Sequence, residues 1–310
     1  MKVLVLGGGQ VANAVAATAL PATAVATSAP AGGTHGVVEV LARARAALDI
    51  VDAAAVLRTF TELKPDWVVN AAAFTAVDLA EDQRNQAFAV NDTAVAGLAH
   101  AAAKVGCRLL HLSTDFVFDG NSSRAYLPGD ATNPLSVYGA SKLAGEQHVA
   151  ANAAGATAST AASGIVLRTS WVYAAAGKNF VLTMLRLMRE KPQLAVVCDQ
   201  IGAPTWASSI GRAIWGLIDA QAAPGIYHWT DLGVASWYDF AVAIQDEALA
   251  RGLLTRPVPV TPISSREYPA RAKRPAFSLL DSAATRAAIK APADHWRHNL
   301  GKMLDELRTQ

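Results

Sequence analysis

Apolar residues in the first half of the chain form short runs that alternate with longer helical patterns. The runs at residues 3–6, 67–70, 107–112 and 165–167 are rich in Val, Ile and Leu, and a further strand is predicted at residues 23–27. Short apolar runs of this kind are typical of strands that are buried on both faces of a sheet. Because strands that alternate with helices form parallel sheets, the pattern predicts an α/β fold with a doubly wound parallel sheet.

Helical patterns fill the intervals between these strands. Helices are predicted at residues 13–20, 53–63, 83–105 and 134–150. Pro21 ends the first helix, and Lys64 followed by Pro65 ends the second. Residues 152–163 are a low-complexity stretch of Ala, Ser, Thr and Gly, which we predict to be a mobile surface loop.

The pattern becomes less regular after residue 170. Helices are predicted at residues 180–190, from 206 to 219, at 237–249 and at 295–307, with short strands at 194–197 and 225–229 and a Pro- and Arg-bearing loop at 257–274. We therefore expect two domains. The first comprises residues 1–170, with 206–230 returning to it, and the second is a smaller α+β domain of residues 171–205 and 231–310.

The composition predicts a globular protein, since the 310 residues are 52% hydrophobic and 17% charged. The net charge of +2 gives no basic stripe for nucleic acid and no polybasic run for a membrane surface. Cys107 and Cys198 follow or precede apolar runs, and we predict that both are buried free thiols. The apolar start at residues 3–6 is too short for a signal peptide and is broken by glycines, so we expect a cytoplasmic protein.

A glycine-rich turn lies between the first strand and the first helix. The residues Gly7-x-Gly9-x-x-Ala12 match the dinucleotide fingerprint of a Rossmann-type sheet. Gly7 would form the tight turn, Gly9 would let a pyrophosphate approach the backbone, and the helix N-terminus would receive its charge. A glycine-rich turn without a nucleotide is the alternative.

Other residues at the carboxyl ends of the predicted strands could line the same cofactor site. The predicted cofactor-binding set is Gly7, Gly9, Gln10, Val11, Asp49, Ile50, Ala71, Ala72, Ala73, Thr75, Tyr138 and Lys142. The second predicted strand ends at Thr27-Ser28, where an acidic residue would favour NAD and an Arg would favour NADP. Neither is present there, and Arg43 or Arg45 are more distant candidates, so this pattern leaves the choice open.

A hydroxyl and a Tyr–Lys pair form the candidate catalytic set. Thr114 follows the fourth strand, while Tyr138 and Lys142 lie four residues apart and therefore on one helix face. An ammonium beside a phenol lowers its pKa, and such a phenol can exchange a proton with a carbonyl oxygen. A surface helix with a half-buried Tyr and an extended Lys is the alternative.

Several ordered motifs resemble those of the dTDP-4-dehydrorhamnose reductase family, which are extended short-chain dehydrogenases/reductases. The motifs are the glycine fingerprint, residues 70–78 (NAAAFTAVD), 113–120 (STDFVFDG), 137–146 (VYGASKLAGE), 168–173 (RTSWVY) and 199–205 (DQIGAPT), and Arg274-Pro275 with Ser278. The resemblance implies NADPH-dependent reduction of the C4 ketone of dTDP-6-deoxy-L-lyxo-4-hexulose to dTDP-L-rhamnose, with NADH as a possible cofactor.

The same resemblance implies roles for individual residues. Thr114, Tyr138 and Lys142 would be catalytic, with Tyr138 as proton donor. The implied substrate-binding residues are Val77, Asp115, Phe116, Trp171 and Arg274. The cluster of Arg266, Arg271, Lys273 and Arg274 would supply positive charge for a diphosphate, or else form a solvated loop.

Some relatives hold magnesium at a dimer interface through glutamates, and this chain departs from that pattern. Ala14 occupies one of the matching positions, while Glu190 and Glu306 match the others. We therefore predict no metal site, and a homodimer stays possible but unsupported.

Two other functions compete with reduction. Similar 4,6-dehydratases have an Asp-Glu pair where this chain has Asp115-Phe116. The acid/base pair that dehydration uses is therefore incomplete in this chain, which argues for simple carbonyl reduction. A non-catalytic relative resembling the regulatory subunit of methionine adenosyltransferase is the other alternative, and the intact Thr114, Tyr138 and Lys142 argue against it.

Overall fold

A computed structural model of the chain describes residues 1–19, 38–154, 164–292 and 294–309. The strands in this part are β1 (Lys2–Leu6), β2 (Glu39–Arg43), β3 (Trp67–Asn70), β4 (Arg108–Thr114), β5 (Gly164–Thr169), β6 (Val172–Tyr173), β7 (Leu194–Val197), β8 (Ile201–Gly202), β9 (Thr205–Trp206), β10 (Gly225–His228), β11 (Ala235–Ser236) and β12 (Val260–Ile263). The helices are α1 (Gln10–Ala17), α2 (Ala53–Leu63), α3 (Val77–Asp82), α4 (Arg84–Phe88), α5 (Ala94–Val105), α6 (Val137–Ala154), α7 (Phe180–Glu190), α8 (Ala207–Asp219), α9 (Trp237–Ala250), α10 (Ala283–Ile289) and α11 (Trp296–Thr309).

Six parallel strands form the central sheet, in the order β10-β5-β4-β3-β1-β2. Side chains alternate along each strand, so β1 directs Val3 and Val5 into one core and Leu4 and Leu6 into the other. Helices α1 and α8 cover the first face, and α2, α5 and α6 cover the second. The predicted Rossmann-type α/β fold is confirmed.

The order of the strands places a crevice at the carboxyl ends of β1 and β3. In the sheet, β2 lies beside β1 on one flank and β3 lies beside β1 on the other, so the chain reverses its direction across the sheet after β2. Ligands of open α/β sheets bind where the strand order reverses in this way. The glycine turn after β1 and the alanines after β3 therefore meet at one edge.

A second apolar core lies among α7, α9, α11 and the parallel pair of β7 with β12. The apolar side of α7 contributes Val181, Met184, Leu185 and Met188. Whether this core and the segments around it are a separate domain stays a prediction, although β10 does pair with β5 in the main sheet.

Strand β2, which pairs with β1, was not predicted. Residues 23–27 lie outside the described residues, and the strand that pairs with β1 is Glu39–Arg43. This strand lies at the sheet edge and is partly exposed along its length, so it lacks the continuous apolar run of a central strand. Of the predicted loop at 152–163, residues 152–154 belong to α6 instead, and 155–163 lie outside the described residues.

The predicted helix at 83–105 contains a π-helical turn at Ala89–Thr93, between α4 and α5. Asn91 is buried in this turn, and its amide bonds both the backbone of Phe74 and the hydroxyl of Ser141. A π turn inserts one residue into a helix and redirects its side chains. The helical periodicity of the sequence gives no sign of this insertion.

Three smaller predictions from the second half of the chain were wrong or incomplete. The predicted loop at 257–274 contains the strand β12. The prediction missed this strand because Pro262 made the segment resemble a loop. Helix α10 was not predicted. Cys198 is exposed, since it follows the end of β7, whereas Cys107 is buried as expected.

Two kinds of feature are absent from the residues that the structure describes. No helix there is long and apolar enough to cross a membrane. Within the same ranges, no group of three or more His, Cys, Asp or Glu side chains could hold a metal ion.

A buried ion pair joins α6 to the sheet. Arg168 on β5 donates two hydrogen bonds to the carboxylate of Glu146 on α6, at 2.7 and 2.9 Å, and both side chains are at most 4% exposed. The guanidinium also lies over the ring of Phe118, 5.1 Å from its centroid. This pair fixes the distance between α6 and β5.

We predict that Glu146→Gln lowers the free energy of unfolding by about 3–5 kcal/mol, because it leaves the Arg168 charge buried without its partner. Glu190→Gln is the matched control, since Glu190 pairs with Arg186 on the surface and its loss should cost less than about 1 kcal/mol. Urea denaturation measures both, and equal losses would contradict the prediction.

Candidate active site

The glycine turn after β1 brings backbone amides to the crevice. Gly7 has φ of +120°, a conformation that side chains rarely adopt, and a Cβ there would lie 3.0 Å from the backbone of Ala71. Gly9 precedes α1, and a Cβ there would meet no atom within 4 Å. Backbone N–H groups at the start of α1 are therefore open to a ligand that carries negative charge.

Helix α6 begins at residues that hold its N-terminus close to the site. Ser136 accepts a hydrogen bond from the Gly139 amide, and Glu81 on α3 accepts one from the Val137 amide at 2.9 Å. These two acceptors satisfy amides that have no partner inside the helix. The carboxylate of Glu81 also favours the positive end of the helix dipole.

Two glycines let α6 pack against its neighbours at very short distance. A Cβ at Gly139 would lie 2.2 Å from the carbonyl oxygen of Phe116, and one at Gly145 would lie 2.1 Å from that of Asn91. Only glycine permits these approaches without a shift of the backbone. The face of α6 that carries Tyr138 and Lys142 is thereby pressed against the end of β4.

Thr114 lies at the carboxyl end of β4 and faces this helix. Its hydroxyl donates a hydrogen bond to Asp115 at 3.0 Å and accepts one from the Phe116 amide at 3.2 Å. The ring of Tyr138 meets the ring of Phe116 edge to face, with 5.6 Å between the centroids. Thr114, Asp115 and Tyr138 line one cavity of about 400 Å³.

Tyr138 does not have the lowered pKa that the sequence suggested. Desolvation of its hydroxyl raises the pKa of Tyr138 to about 12, and a hydrogen bond with Thr114 opposes that rise. Lys142 is buried; its amine donates to the Leu112 carbonyl at 2.7 Å and lies 3.0 Å from Nε2 of His111. Burial lowers the pKa of Lys142 to about 8. In this arrangement Tyr138 is a protonated phenol, and so a proton donor.

Trp171 forms a wall between this cavity and a larger one of about 590 Å³. It follows β5 and has φ of +47°, a left-handed conformation that costs a non-glycine residue about 1 kcal/mol. Its indole stacks on that of Trp237, with 3.6 Å between centroids and an angle of 3°. Trp171 faces the smaller cavity and Trp237 faces the larger one.

Arg274 lines the larger cavity and is held there by α3. Its guanidinium donates to both carboxylate oxygens of Asp78, at 2.7 and 3.1 Å, and Arg271 pairs with Asp82 one turn further along that helix. The Arg274 side chain lowers the pKa of Asp78. Lys273 lines the same cavity.

Most of the site residues predicted from sequence come together. The smaller cavity is lined by Gly9, Gln10, Val11, Ala71, Ala73, Thr75, Val77, Thr114, Asp115, Phe116, Tyr138, Lys142 and Trp171. Four predicted cofactor residues are not among its lining: Ile50 is packed in the core, Asp49 pairs with Arg45, Ala72 bonds Asn70, and Gly7 makes the turn. The roles of all these residues stay predictions.

Other lining residues were missed. Leu112, Ser113, Thr169, Ser170, Val172 and Lys178 complete the smaller cavity, and the larger one includes Phe180, Met184, Gln200 and Trp237. Ser113 and Ser170 lie inside motifs that the sequence analysis singled out. Lys178 follows an Ala- and Gly-rich stretch and carries no signal in the sequence.

Comparisons with known proteins agree with this geometry. The model of a family described as RmlD substrate binding domain matches residues 1–309. A dTDP-4-dehydrorhamnose reductase of Burkholderia thailandensis is 40% identical over 282 residues, which are 88% of this chain and 92% of that protein.

Two solved structures have the same fold over nearly their whole length. The dTDP-4-dehydrorhamnose reductase of Clostridium acetobutylicum is 34% identical, with a TM-score of 0.85 over 99% of this chain and 100% of that one. That of Bacillus anthracis, solved in complex with NADP, is 30% identical, with a TM-score of 0.84 over 98% and 99%. The resemblance seen in the sequence motifs is thus confirmed, and the chain belongs to the dTDP-4-dehydrorhamnose reductase family.

Proposed function

We propose that this protein uses NADPH to reduce the C4 ketone of dTDP-6-deoxy-L-lyxo-4-hexulose, forming dTDP-L-rhamnose. The observation that carries the proposal is the meeting of Thr114, Tyr138 and Lys142 in one cavity with the glycine turn of α1. A proton donor and a dinucleotide site in one cavity are the two requirements of ketone reduction. The family membership supplies the class of substrate.

The residues around the crevice fit a dinucleotide. The open space at Gly9 and the amides at the start of α1 would hold its pyrophosphate. Ala71 and Ala73 are small enough to leave room beside the carboxyl end of β3, and Lys142 would bind the nicotinamide ribose. When bound, NADPH supplies the hydride that C4 receives.

Proton transfer to the ketone oxygen is the task of Tyr138. As C4 gains the hydride, its oxygen takes the proton of the Tyr138 hydroxyl, so that a ketone becomes an alcohol and the phenol becomes a phenolate. Thr114 lies at the carboxyl end of β4, and it would position the same oxygen by turning its hydroxyl proton from Asp115 to that oxygen. The raised pKa of Tyr138 suits it to donate a proton during reduction, because the phenol stays protonated until the substrate oxygen becomes strongly basic.

The larger cavity suits the nucleotide part of the substrate. Its volume of about 590 Å³ is in the range of small-ligand sites, and its walls combine apolar side chains with Lys273 and Arg274. We propose that the thymidine lies among the apolar side chains and that the diphosphate binds the two cations. Trp171 would then pack against the sugar in the smaller cavity.

The two cavities also support the proposed division of the chain. We propose that residues 1–170 with 206–230 bind the dinucleotide, and that 171–205 with 231–310 bind the sugar nucleotide. Since NADPH and nucleotide sugars are both made in the cytoplasm, we propose that the reaction takes place there. We propose no nucleic-acid partner and no resident metal.

Arg43 favours NADPH over NADH. It ends β2, next to β1, and its carbonyl accepts a hydrogen bond from the Gly7 amide at 2.9 Å. An Arg at this point of a Rossmann-type sheet accommodates the 2′-phosphate of NADP. Its partly exposed guanidinium donates a hydrogen bond to its neighbour Ala42, a contact that a phosphate can replace.

Asp115 separates reduction from the competing dehydration chemistry. Its carboxylate accepts a hydrogen bond from Thr114, and Phe116 packs against Tyr138 where a dehydratase would carry a second acid. Burial raises the pKa of Asp115 to about 6. We propose that Asp115 orients Thr114 and contacts the sugar, and does not carry out acid/base chemistry on carbon.

We predict that Tyr138→Phe lowers kcat for NADPH oxidation at least about 100-fold, because the proton donor is removed. The dissociation constant for NADPH should change less than about twofold. The assay follows NADPH absorbance with the dTDP-4-keto-6-deoxy sugar and an epimerase present.

Tyr227→Phe is the control for this substitution, since the Tyr227 hydroxyl is bonded to the Ala223 carbonyl on the far edge of the sheet. Normal turnover in Tyr138→Phe would remove its role as proton donor. If the wild-type protein bound NADPH but never oxidised it, a non-catalytic regulatory function would be favoured.

We predict that Arg43→Ala raises KM for NADPH about tenfold and leaves KM for NADH unchanged, because one charge-assisted contact to the phosphate is lost. Arg45→Ala is the control, since Arg45 pairs with Asp49. Equal kcat/KM for the two cofactors in the wild-type protein would show that no 2′-phosphate contact operates.

We predict that Asp115→Asn stabilises the protein near pH 7.5 by up to about 3 kcal/mol and has little effect near pH 4. The folded pKa of about 6 exceeds the unfolded value, so the contribution of Asp115 is full below about pH 4 and is lost as pH rises through 6. Urea denaturation at both pH values measures this.

Asp119→Asn should behave in the opposite way, because hydrogen bonds from Asn121, Tyr126 and Asn133 lower the pKa of Asp119. Its replacement should destabilise the protein at neutral pH. A stability change in Asp115→Asn that did not vary with pH would contradict the raised pKa.

A further inference from the structure

The loop between β6 and α7 reaches the dinucleotide site from the other half of the chain. It consists of residues 174–179, and Lys178 near its end lines the smaller cavity together with Gly9, Gln10 and Val11. Lys178 belongs to the segment that is proposed to bind the sugar nucleotide, whereas the other three belong to the glycine turn and the start of α1. The proposed function gives no role to Lys178.

Gln10, the first residue of α1, connects this loop to the glycine turn. Its Nε2 donates a hydrogen bond to the carbonyl of Lys178 at 3.2 Å, and its Oε1 accepts one from Nδ2 of Asn179 at 2.9 Å. A carbonyl can only accept, so it must meet the NH₂ group of Gln10, and the oxygen of Gln10 then faces Asn179. Both ends of the Gln10 amide therefore hold the backbone of Lys178 beside the first turn of α1.

Asn179 fixes the same loop to α7. Its Oδ1 accepts a hydrogen bond from the Leu182 amide at 3.0 Å and so caps the helix, while its Nδ2 also donates to the Ala174 carbonyl at 2.8 Å. Gly177 has φ of +84°, and a Cβ there would lie 3.3 Å from Cγ of Gln10. The loop consequently packs directly on the Gln10 side chain.

The charge of Lys178 is available to a ligand. Among the residues that the structure describes, no carboxylate forms an ion pair with Lys178, whereas Lys2 and Lys302 each have one. The Lys178 side chain is exposed, and an ammonium on a flexible stem is a common binder of phosphate oxygens. A phosphate at the start of α1 would therefore meet this ammonium as well as the open amides of the helix.

The structure separates three phosphate groups that Lys178 could meet. The diphosphate of the sugar nucleotide is proposed to lie beside Arg274 in the larger cavity, beyond the wall of Trp171, and Lys178 does not line that cavity. The 2′-phosphate of NADPH is proposed to lie beside Arg43 at the end of β2, which does not line the smaller cavity. The pyrophosphate of the dinucleotide is proposed to lie at the start of α1, where Gln10 holds Lys178.

We propose that Lys178 is a cofactor-binding residue, which supplies a positive charge to the pyrophosphate of the dinucleotide from the segment that binds the sugar nucleotide. This assignment rests on the dinucleotide site of the proposed function, but not on the identity of the sugar. Gln10 acts in it as a positioning residue, since its side chain holds the backbone of Lys178. Because NADPH and NADH share the pyrophosphate, Lys178 adds to the affinity for both and does not distinguish them.

Calorimetric titrations with NADPH, NADH and ADP-ribose, with no sugar nucleotide present, test this assignment. ADP-ribose contains the pyrophosphate but neither the nicotinamide nor the 2′-phosphate. We expect Lys178→Met to raise all three dissociation constants by a similar factor, about fivefold to tenfold at low ionic strength. The factor should shrink at high salt, because Lys178 is exposed and its charge is screened.

Two further variants separate the charge of Lys178 from a role in packing. Lys178→Arg retains a positive charge, and it should bind all three ligands within about twofold of the wild type. Lys191→Met is the matched control, because Lys191 is an exposed lysine at the other end of α7 and should leave all three constants unchanged. Titration with dTDP should not differ between the wild type and Lys178→Met, because the proposed site of that diphosphate lies in the larger cavity.

Three results would overturn the assignment. The first is a set of dinucleotide dissociation constants that Lys178→Met leaves unchanged. The second is a loss that Lys178→Arg shares or that persists at high salt, because Lys178 would then act through packing. The third is a Lys178→Met variant that binds dTDP more weakly and the dinucleotides normally, which would place the charge at the sugar nucleotide.

These titrations do not involve turnover, so they are independent of the proposed reaction. A wild-type protein that binds NADPH but never oxidises it with the dTDP-4-keto-6-deoxy sugar would contradict the proposed reaction and not the role of Lys178. A wild-type protein that binds none of the three dinucleotide ligands would overturn both.

Discussion

The position of α6 against the sheet depends on an ion pair that is buried away from water. Glu146 and Arg168 neutralise each other behind the helix, and Gly139 and Gly145 remove the side chains that would hold the helix away. Because a buried charge is costly without its partner, the pair permits little movement between α6 and β5. Tyr138 is presented at a set distance from Thr114 as a result.

The stacked indoles of Trp171 and Trp237 organise the other half of the site. Each ring faces a different cavity, so the pair is a shared wall between the space proposed for the sugar and the space proposed for the nucleotide. Arg274, tied to Asp78 on α3, brings positive charge to the larger space. A substrate with a sugar at one end and a base at the other matches this arrangement in shape and in charge.

Local spacing made much of the molecule predictable. Central strands such as β1 and β4 are buried on both faces and therefore read as continuous apolar runs, and the fingerprint of Gly7 and Gly9 is a local motif. The edge strand β2 lacked that signal. The contact between His111 and Lys142 depends on how β4 and α6 pack, and no spacing along the chain reports it.

The left-handed backbone of Trp171 bears on which substitutions could stabilise this chain. A glycine at this position would relax the backbone but would remove the indole that stacks on Trp237, and the loss of that packing would outweigh the strain. Retaining Trp171 costs some backbone strain but keeps an aromatic surface at the boundary of the two cavities. Efforts to stabilise the protein should therefore begin elsewhere, for example at Lys64, Gln221 or Lys290, which also have positive φ.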